Sequence, residues 1–258
     1  MKPFIRNILI VVLLIAIVVT FHIVRRNSTM RGLECKVAVE EAVLLTPTDV
    51  DSLILDYCPN LLSLDIKDVD KKGIARMLKR HPYILYAETK MTTGGKLTVK
   101  VRQHNPVLRM FYQDNEYYIS RQGTCMPLSA KHYCDILVGS TERQEPTLRH
   151  TTALHLADTA NHNQPESLLK LWTVASYISD NPRYHGVFDQ TAISENGDIY
   201  LIPKLGDIAV VIGDTTILEE KFNNLWAFFD HGISQVGWDA YSKINLKYKG
   251  QVVCTRKK

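Results

Sequence analysis

The chain has 258 residues, 45% of them apolar, a composition that excludes a wholly disordered or collagen-like protein. Its 31 basic and 27 acidic residues leave a net charge of +4, and that excess sits in the first 26 positions, where Lys2, Arg6, Arg25 and Arg26 meet no acid. The rest of the chain is formally neutral, which argues against a basic nucleic-acid-binding body, and is long enough for one large domain or two small ones.

Phe4 to Val24 is almost continuously apolar, and Ile8 to Val19 holds no polar residue. At about 1.5 Å per residue this stretch reaches roughly 30 Å, the thickness of a bilayer core. A buried soluble helix is rarely apolar on every face for so long. Thr20 can return its hydroxyl to the helix backbone, and His22 falls near the interface. A cleavable signal peptide would share the basic start, but Thr20-Phe21-His22-Ile23 offers no small-x-small cleavage site. The sequence therefore predicts an uncleaved anchor, with residues 1–6 in the cytoplasm and a transmembrane helix over 7–24. Arg25, Arg26 and Arg31 outnumber Lys2 and Arg6, a count that favours the reverse orientation. The body is still expected outside the cytoplasm, because an N-terminus of a few residues hosts no function and long C-terminal domains translocate largely regardless of charge.

Cys35–Leu45 reads as a strand, with Val37, Val39, Val43 and Leu45 at alternate positions. Thr48 is the expected N-cap of a helix whose face carries Val50, Leu53, Ile54 and Tyr57, stopped by Pro59. A second helix is predicted over about Asp70 to Arg80, ended by His81-Pro82. Ile84–Met91 and Lys96–Gln103 follow as strands joined through Thr93-Gly94-Gly95. This strand-helix-helix-strand-strand order makes a small α+β unit with two helices on one face of a three-stranded sheet.

Asn105-Pro106 marks a boundary. Beyond it, short strands are expected at Val107–Tyr112, Tyr117–Ser120 and Ile136–Val138, then a polar connection over 140–165. Leu168, Leu171, Trp172, Ala175 and Ile178 form one helical face. A meander follows at Asp189–Ser194, Asp198–Ile202 and Asp207–Ile212, with Asn196-Gly197 as a strong hairpin signal. A helix over Leu218–Asp230 precedes two last strands, Ser242–Tyr248 and Gln251–Cys254, turned at Lys249-Gly250.

Catalytic signatures are missing: there is no Gly-x-Ser-x-Gly, His-Glu-x-x-His or Gly-x-Gly-x-x-Gly. Gly94-Gly95-Lys96 lacks the first glycine and the Ser or Thr of a phosphate-binding loop and sits between strands, so a hairpin turn is expected. Cys125, His132 and Cys134 have no recognised zinc spacing and lack a fourth ligand. His150, His155 and His162 read as solvated loop residues. The five cysteines leave at least one unpaired in any intramolecular scheme, and an oxidising compartment would permit Cys125–Cys134 without demanding it. Lys71, Lys72, Arg76, Lys79 and Arg80 crowd the second helix and read first as a solvated face, otherwise as a surface for anionic lipid or an acidic partner. No cofactor and no metal are expected.

The terminal hairpin is the most informative stretch. Ile244, Leu246 and Tyr248 alternate with Lys243, Asn245, Lys247 and Lys249. Lysines protect an exposed strand edge from aggregation; such an edge is also the natural receiver of another protein's strand, and the lysines would then select an acidic segment.

With these elements in place, the chain resembles the FtsQ/DivIB family of bacterial cell-division proteins, in the style of Bacteroidetes members. The resemblance rests on His81-Pro82-Tyr83-Ile84, Leu97-Thr98-Val99-Lys100-Val101, Asn105-Pro106-Val107, Tyr117-Tyr118-Ile119, Met126-Pro127-Leu128 and Ile244-Asn245-Leu246-Lys247-Tyr248. It implies an α+β protein with one transmembrane helix, a POTRA module over 33–104, and a mostly antiparallel β domain with flanking helices over 105–258. It implies a non-enzymatic scaffold of the divisome in the inner membrane, its body periplasmic and at the septum. The implied partners are FtsB and FtsL, with the septal synthase FtsW/FtsI beyond them, and no nucleic acid or small-molecule substrate. The partner-binding segment would be Leu246-Lys247-Tyr248-Lys249-Gly250-Gln251-Val252-Val253. Lys247 replaces the arginine of the family's Leu-Arg-Tyr, which weakens any bidentate carboxylate contact. Two other classes stay open on the residues alone: an anchored extracytoplasmic hydrolase with a Ser–Lys site, and a POTRA-bearing transport or assembly component.

Overall fold

The computed structural model of the chain describes residues 3–143, 145 and 165–257. They fall into two units, Met1–Gln103 and His104–Lys258. His150, His155, His162 and most of the polar connection expected over 140–165 lie outside the described residues.

The first unit opens with α1, Pro3–Arg26, a helix of 24 residues. Val11, Val12, Leu13 and Leu14, which at about 100° per residue point all around it, are each more than half exposed. Thr20 Oγ1 donates to the Ala16 carbonyl at 2.8 Å, as the sequence anticipates. Among the described residues no helix is long and apolar enough to cross a membrane.

Strand β1 is Gly32–Ala38, shorter and earlier than the expected Cys35–Leu45. Helix α2 (Pro47–Tyr57) and helix α3 (Lys71–Lys79) follow, then β2 (Ile84–Met91) and β3 (Lys96–Gln103). The sheet order is β1-β3-β2, with β1 parallel and β2 antiparallel to β3. Because Ala38 pairs with Arg102 and β3 stops at Gln103, β1 has no partner backbone to follow further. The N–H groups of Leu44 and Leu45 instead donate to Gln103 Oε1, each at 3.0 Å, so a side chain supplies the acceptor that a strand would have given. Thr46, not Thr48, caps α2: its hydroxyl accepts from the Asp49 N–H while Asp49 Oδ2 accepts from the Thr46 N–H at 2.9 Å. Leu97, Val99 and Val101 of β3 are buried with Val50 and Ile54 of α2 and Ile74 and Leu78 of α3. The basic residues of α3 are all exposed on its outer side, Lys79 Nζ lying 5.2 Å from the Tyr86 ring. Gly94-Gly95 turns β2 into β3, the Gly95 N–H donating to the Thr92 carbonyl.

The second unit is built on β4 (Pro106–Tyr112), β5 (Asn115–Ser120), β6 (Cys125–Pro127) and β7 (Leu137–Thr141). Helix α4 (Glu166–Asp180) leads to β8 (Phe188–Ile193), β9 (Ile199–Pro203) and β10 (Ala209–Gly213). Helix α5 (Leu218–Phe228) precedes β11 (Tyr241–Asn245) and β12 (Val253–Arg256). All nine strands join one sheet in the order β12-β11-β10-β9-β8-β7-β4-β5-β6. Most neighbours are antiparallel, but β4–β7, β7–β8 and β10–β11 are parallel. A parallel neighbour needs a long crossover; α4 supplies it between β7 and β8, and α5 between β10 and β11. Leu168, Leu171 and Val174 of α4 and Phe222 and Leu225 of α5 share one core with Leu108, Met110, Ile193, Leu201, Val210 and Ile244. Helix α5 ends earlier than its sequence pattern suggests, passing into a π-helical turn at Phe229–Ile233.

Candidate functional site

The C-terminal strands sit at one end of the sheet. β11 pairs on one side with β10, parallel, and on the other with β12, antiparallel. Among the described residues β12 pairs with β11 alone. Ile244 and Leu246 are buried, at 0% and 2% exposure, and Cys254 packs against the same core, so these three face α5 and its surroundings. Val253 and Thr255 alternate with Cys254 and point to the opposite, solvent side, where Val253 is 43% exposed.

Main-chain direction follows from one bond. The Lys257 N–H donates to the Ala240 carbonyl at 3.1 Å, toward β11. With the two-residue period of a strand, the N–H groups of Thr255 and Val253 also face β11, and those of Cys254 and Arg256 face outward. The outer edge of β12 therefore presents alternating main-chain donors and acceptors with no strand beside them.

The sequence expectation for this region is corrected in detail. β11 is shorter than the expected Ser242–Tyr248 and begins one residue earlier, β12 lies two residues later than the expected Gln251–Cys254, and residues 246–252 form a connection. The Leu246 N–H still reaches the Val211 carbonyl at 2.9 Å, but β10 ends at Gly213, and the chain then leaves the sheet. Tyr248 accordingly does not share the buried side of Ile244 and Leu246; it is 57% exposed. The turn at Lys249-Gly250 is present: the Gln251 N–H donates to the Tyr248 carbonyl at 3.1 Å, and Gly250 has φ +68°, where glycine carries no steric cost. Lys247 Nζ lies 2.8 Å from Asp198 Oδ2, and this bond raises the lysine above its ordinary range. Val252 packs against the core. Of the eight expected residues, only Val253 lies in the edge strand itself; Cys254, Thr255 and Arg256, which complete it, were missed. The run Val252-Val253-Cys254-Thr255, rich in β-branched residues, was the available signal.

The electrostatics of this end are tied to α5. Lys221, only 5% exposed, places its ammonium 2.6 Å from Asp214 Oδ1 and 3.0 Å from the Asp214 carbonyl. The Lys221 bond, followed by that from Thr216, holds the Asp214 carboxyl down at about 2. At the tail, Lys257 Nζ sits 3.3 Å from Asp207 Oδ2. Lys243, Lys249 and Arg256 are exposed around the edge strand.

Other candidates do not assemble into a site. Cys125 and Cys134 are buried free thiols. Cys125 lies beside Tyr117 and Cys134 is hydrogen-bonded with Tyr118, and these consecutive strand residues point to opposite faces of the sheet. Burial pushes the Cys125 thiol up to about 12. Among the described residues no group of three or more His, Cys, Asp or Glu side chains could hold a metal ion.

A comparison with curated proteins finds no match. The family model described as FtsQ/DivIB, C-terminal related, matches residues 105–255, more than half of the chain and all of the nine-stranded sheet but the last residue of β12. On that match the chain belongs to the FtsQ/DivIB family of cell-division proteins.

Proposed function

We propose that this protein is a single-pass membrane scaffold of the divisome that receives a strand of an FtsB-type partner along β12. The observation that carries the reading is the unpaired outer edge of β12, with the Cys254 and Arg256 N–H groups directed away from β11. Strand addition gives affinity through such main-chain groups and specificity through the alternate side chains beside them. The exposed Lys243, Lys249 and Arg256 favour an acidic partner segment. The exposed apolar side chains of α1 between Leu9 and Val24 support a membrane anchor, and in this reading the body lies in the periplasm. The β-α-α-β-β order of the first unit supports a POTRA module. In this reading FtsL accompanies FtsB, and the assembly recruits or regulates the septal synthase FtsW/FtsI.

The test is Cys254→Pro in the full chain. Proline at an outward-facing edge position removes a donor to the partner and spares the β11 ladder. Capture of the FtsB-type protein should weaken at least about tenfold, the energy of roughly one lost hydrogen bond. Unchanged capture by a folded variant overturns strand addition at this edge.

A further inference from the structure

In the strand pattern Leu246 and Tyr248 share one face and Lys247 takes the other, yet the structure sends the three residues in three directions. Leu246 enters the core and Tyr248 faces out. Lys247 turns back along the molecule to the loop between β8 and β9. There its ammonium meets Asp198 Oδ2 at 2.8 Å, and that same oxygen accepts from Asn196 Nδ2 at 3.3 Å. The Lys247 backbone N–H donates to Asn245 Oδ1 at 3.0 Å. Its aliphatic stem lies across Gly213: a Cβ placed on that glycine, which has φ +79°, would stand 2.7 Å from Lys247 Cγ. Farther along the same connection, the Gly250 N–H donates to Glu220 Oε1 of α5 at 3.1 Å.

Resting on the strand-addition reading above, we propose that Lys247 is a positioning residue. It clasps the start of the β11–β12 connection to the β8–β9 loop, over a glycine that leaves room for it, and does not receive a carboxylate of the partner. With the Gly250–Glu220 bond, the clasp sets the path of residues 246–252 and so presents β12 as a ready-made extended edge. Preordering matters because a partner strand must otherwise bear the entropy of ordering its receiver.

The experiment uses the full chain with Lys247→Met, Asp198→Asn, the charge swap Lys247→Asp with Asp198→Lys, and Lys247→Arg as the conservative variant. Amide hydrogen exchange across 246–256 and capture of the FtsB-type protein are read on each. The clasp predicts that either charge-removing variant speeds exchange in 246–252 and weakens capture, each about tenfold. It also predicts that the swap and the arginine variant return both to within about threefold of the unaltered protein. A Lys247→Met variant that loses capture with unchanged exchange, unrescued by the swap, overturns it, because Lys247 then touches the partner. Single variants that change neither quantity overturn it as well. If exchange responds as expected while the unaltered protein captures no FtsB-type protein, the clasp stands and strand addition falls.

Discussion

At one end of the nine-stranded sheet β6 spans only Cys125–Pro127, buries Cys125 and Met126 almost completely, and stops at a proline. At the other end β12 exposes Val253, Thr255 and Arg256, with Lys243 opposite Thr255 on β11 and Lys257 next along the chain. Both are edges, and every sheet edge is a template for pairing unless something blunts it. Brevity, burial and Pro127 blunt β6. Among the described residues β12 is guarded by charge, and charge repels some partners while admitting those of opposite sign. The contrast teaches that an edge is open or blunted according to what surrounds it, not according to its place in the sheet.

The largest expected effect bears on the core that α5 shares with α4 and β8. Phe222 of α5 lies 4.9 Å from both Tyr177 and Tyr184 by ring centroids and packs edge-on to Phe188 at 6.0 Å. Phe222→Ala should cost about 3–5 kcal/mol in denaturant unfolding of the full chain, and a loss below about 1 kcal/mol would show that α5 does not hold this core together. Next, Val253→Pro and Cys254→Pro separate the two sides of β12. Val253 directs its N–H at β11, so its replacement should lower stability by about 2 kcal/mol as well as capture; Cys254→Pro should cost less than about 1 kcal/mol. Equal losses from the two would contradict the deduced direction of the edge.

A smaller effect concerns pH. Asp214 is depressed to about 2 in the folded protein by its bond to Lys221, against about 3.9 for an unperturbed aspartate. A depressed acid contributes stability that is complete above the unfolded value and lost as pH falls from about 4 through about 2. Because the Asp214 side chain is 59% exposed, solvent screening limits the contribution to about 1 kcal/mol. Unfolding measured from pH 6 to pH 2 should show this loss, and Asp214→Asn should flatten that part of the profile. The smallest effect is expected at the far edge. Pro127→Thr restores a donor to β6 yet should shift stability by no more than about 0.5 kcal/mol and bring no second mode of partner capture. A gain of capture there would erase the distinction between the two ends.

Local pattern made much of this architecture legible. Alternation of Leu97, Val99 and Val101 with lysine and arginine gave β3 and its buried face, and Asn196-Gly197 gave the turn between β8 and β9. The faces of α4 and α5 followed from apolar spacing. Where a residue's partner lay far along the chain, pattern misled. Val39 and Val43 continue the alternation of β1 but are exposed, because β3 had ended and the Gln103 side chain had taken over the hydrogen bonding of Leu44 and Leu45. Tyr248 continues the alternation of β11 but leaves the sheet where β10 stops.

Sequence alone determined the two-part organisation, the helical apolar N-terminus and the presence of a terminal strand pair, since each depends on periodicity and turn residues within a few positions. Tertiary structure alone decided that β10 and β11 run parallel, that among the described residues β12 pairs on one side only, and that Lys247 turns inward to Asp198. Those outcomes depend on which backbone lies beside which, and on the room Gly213 leaves for a side chain 34 positions later. Such neighbours are chosen by the packing of the whole sheet against α4 and α5, and no local run of residues records that choice.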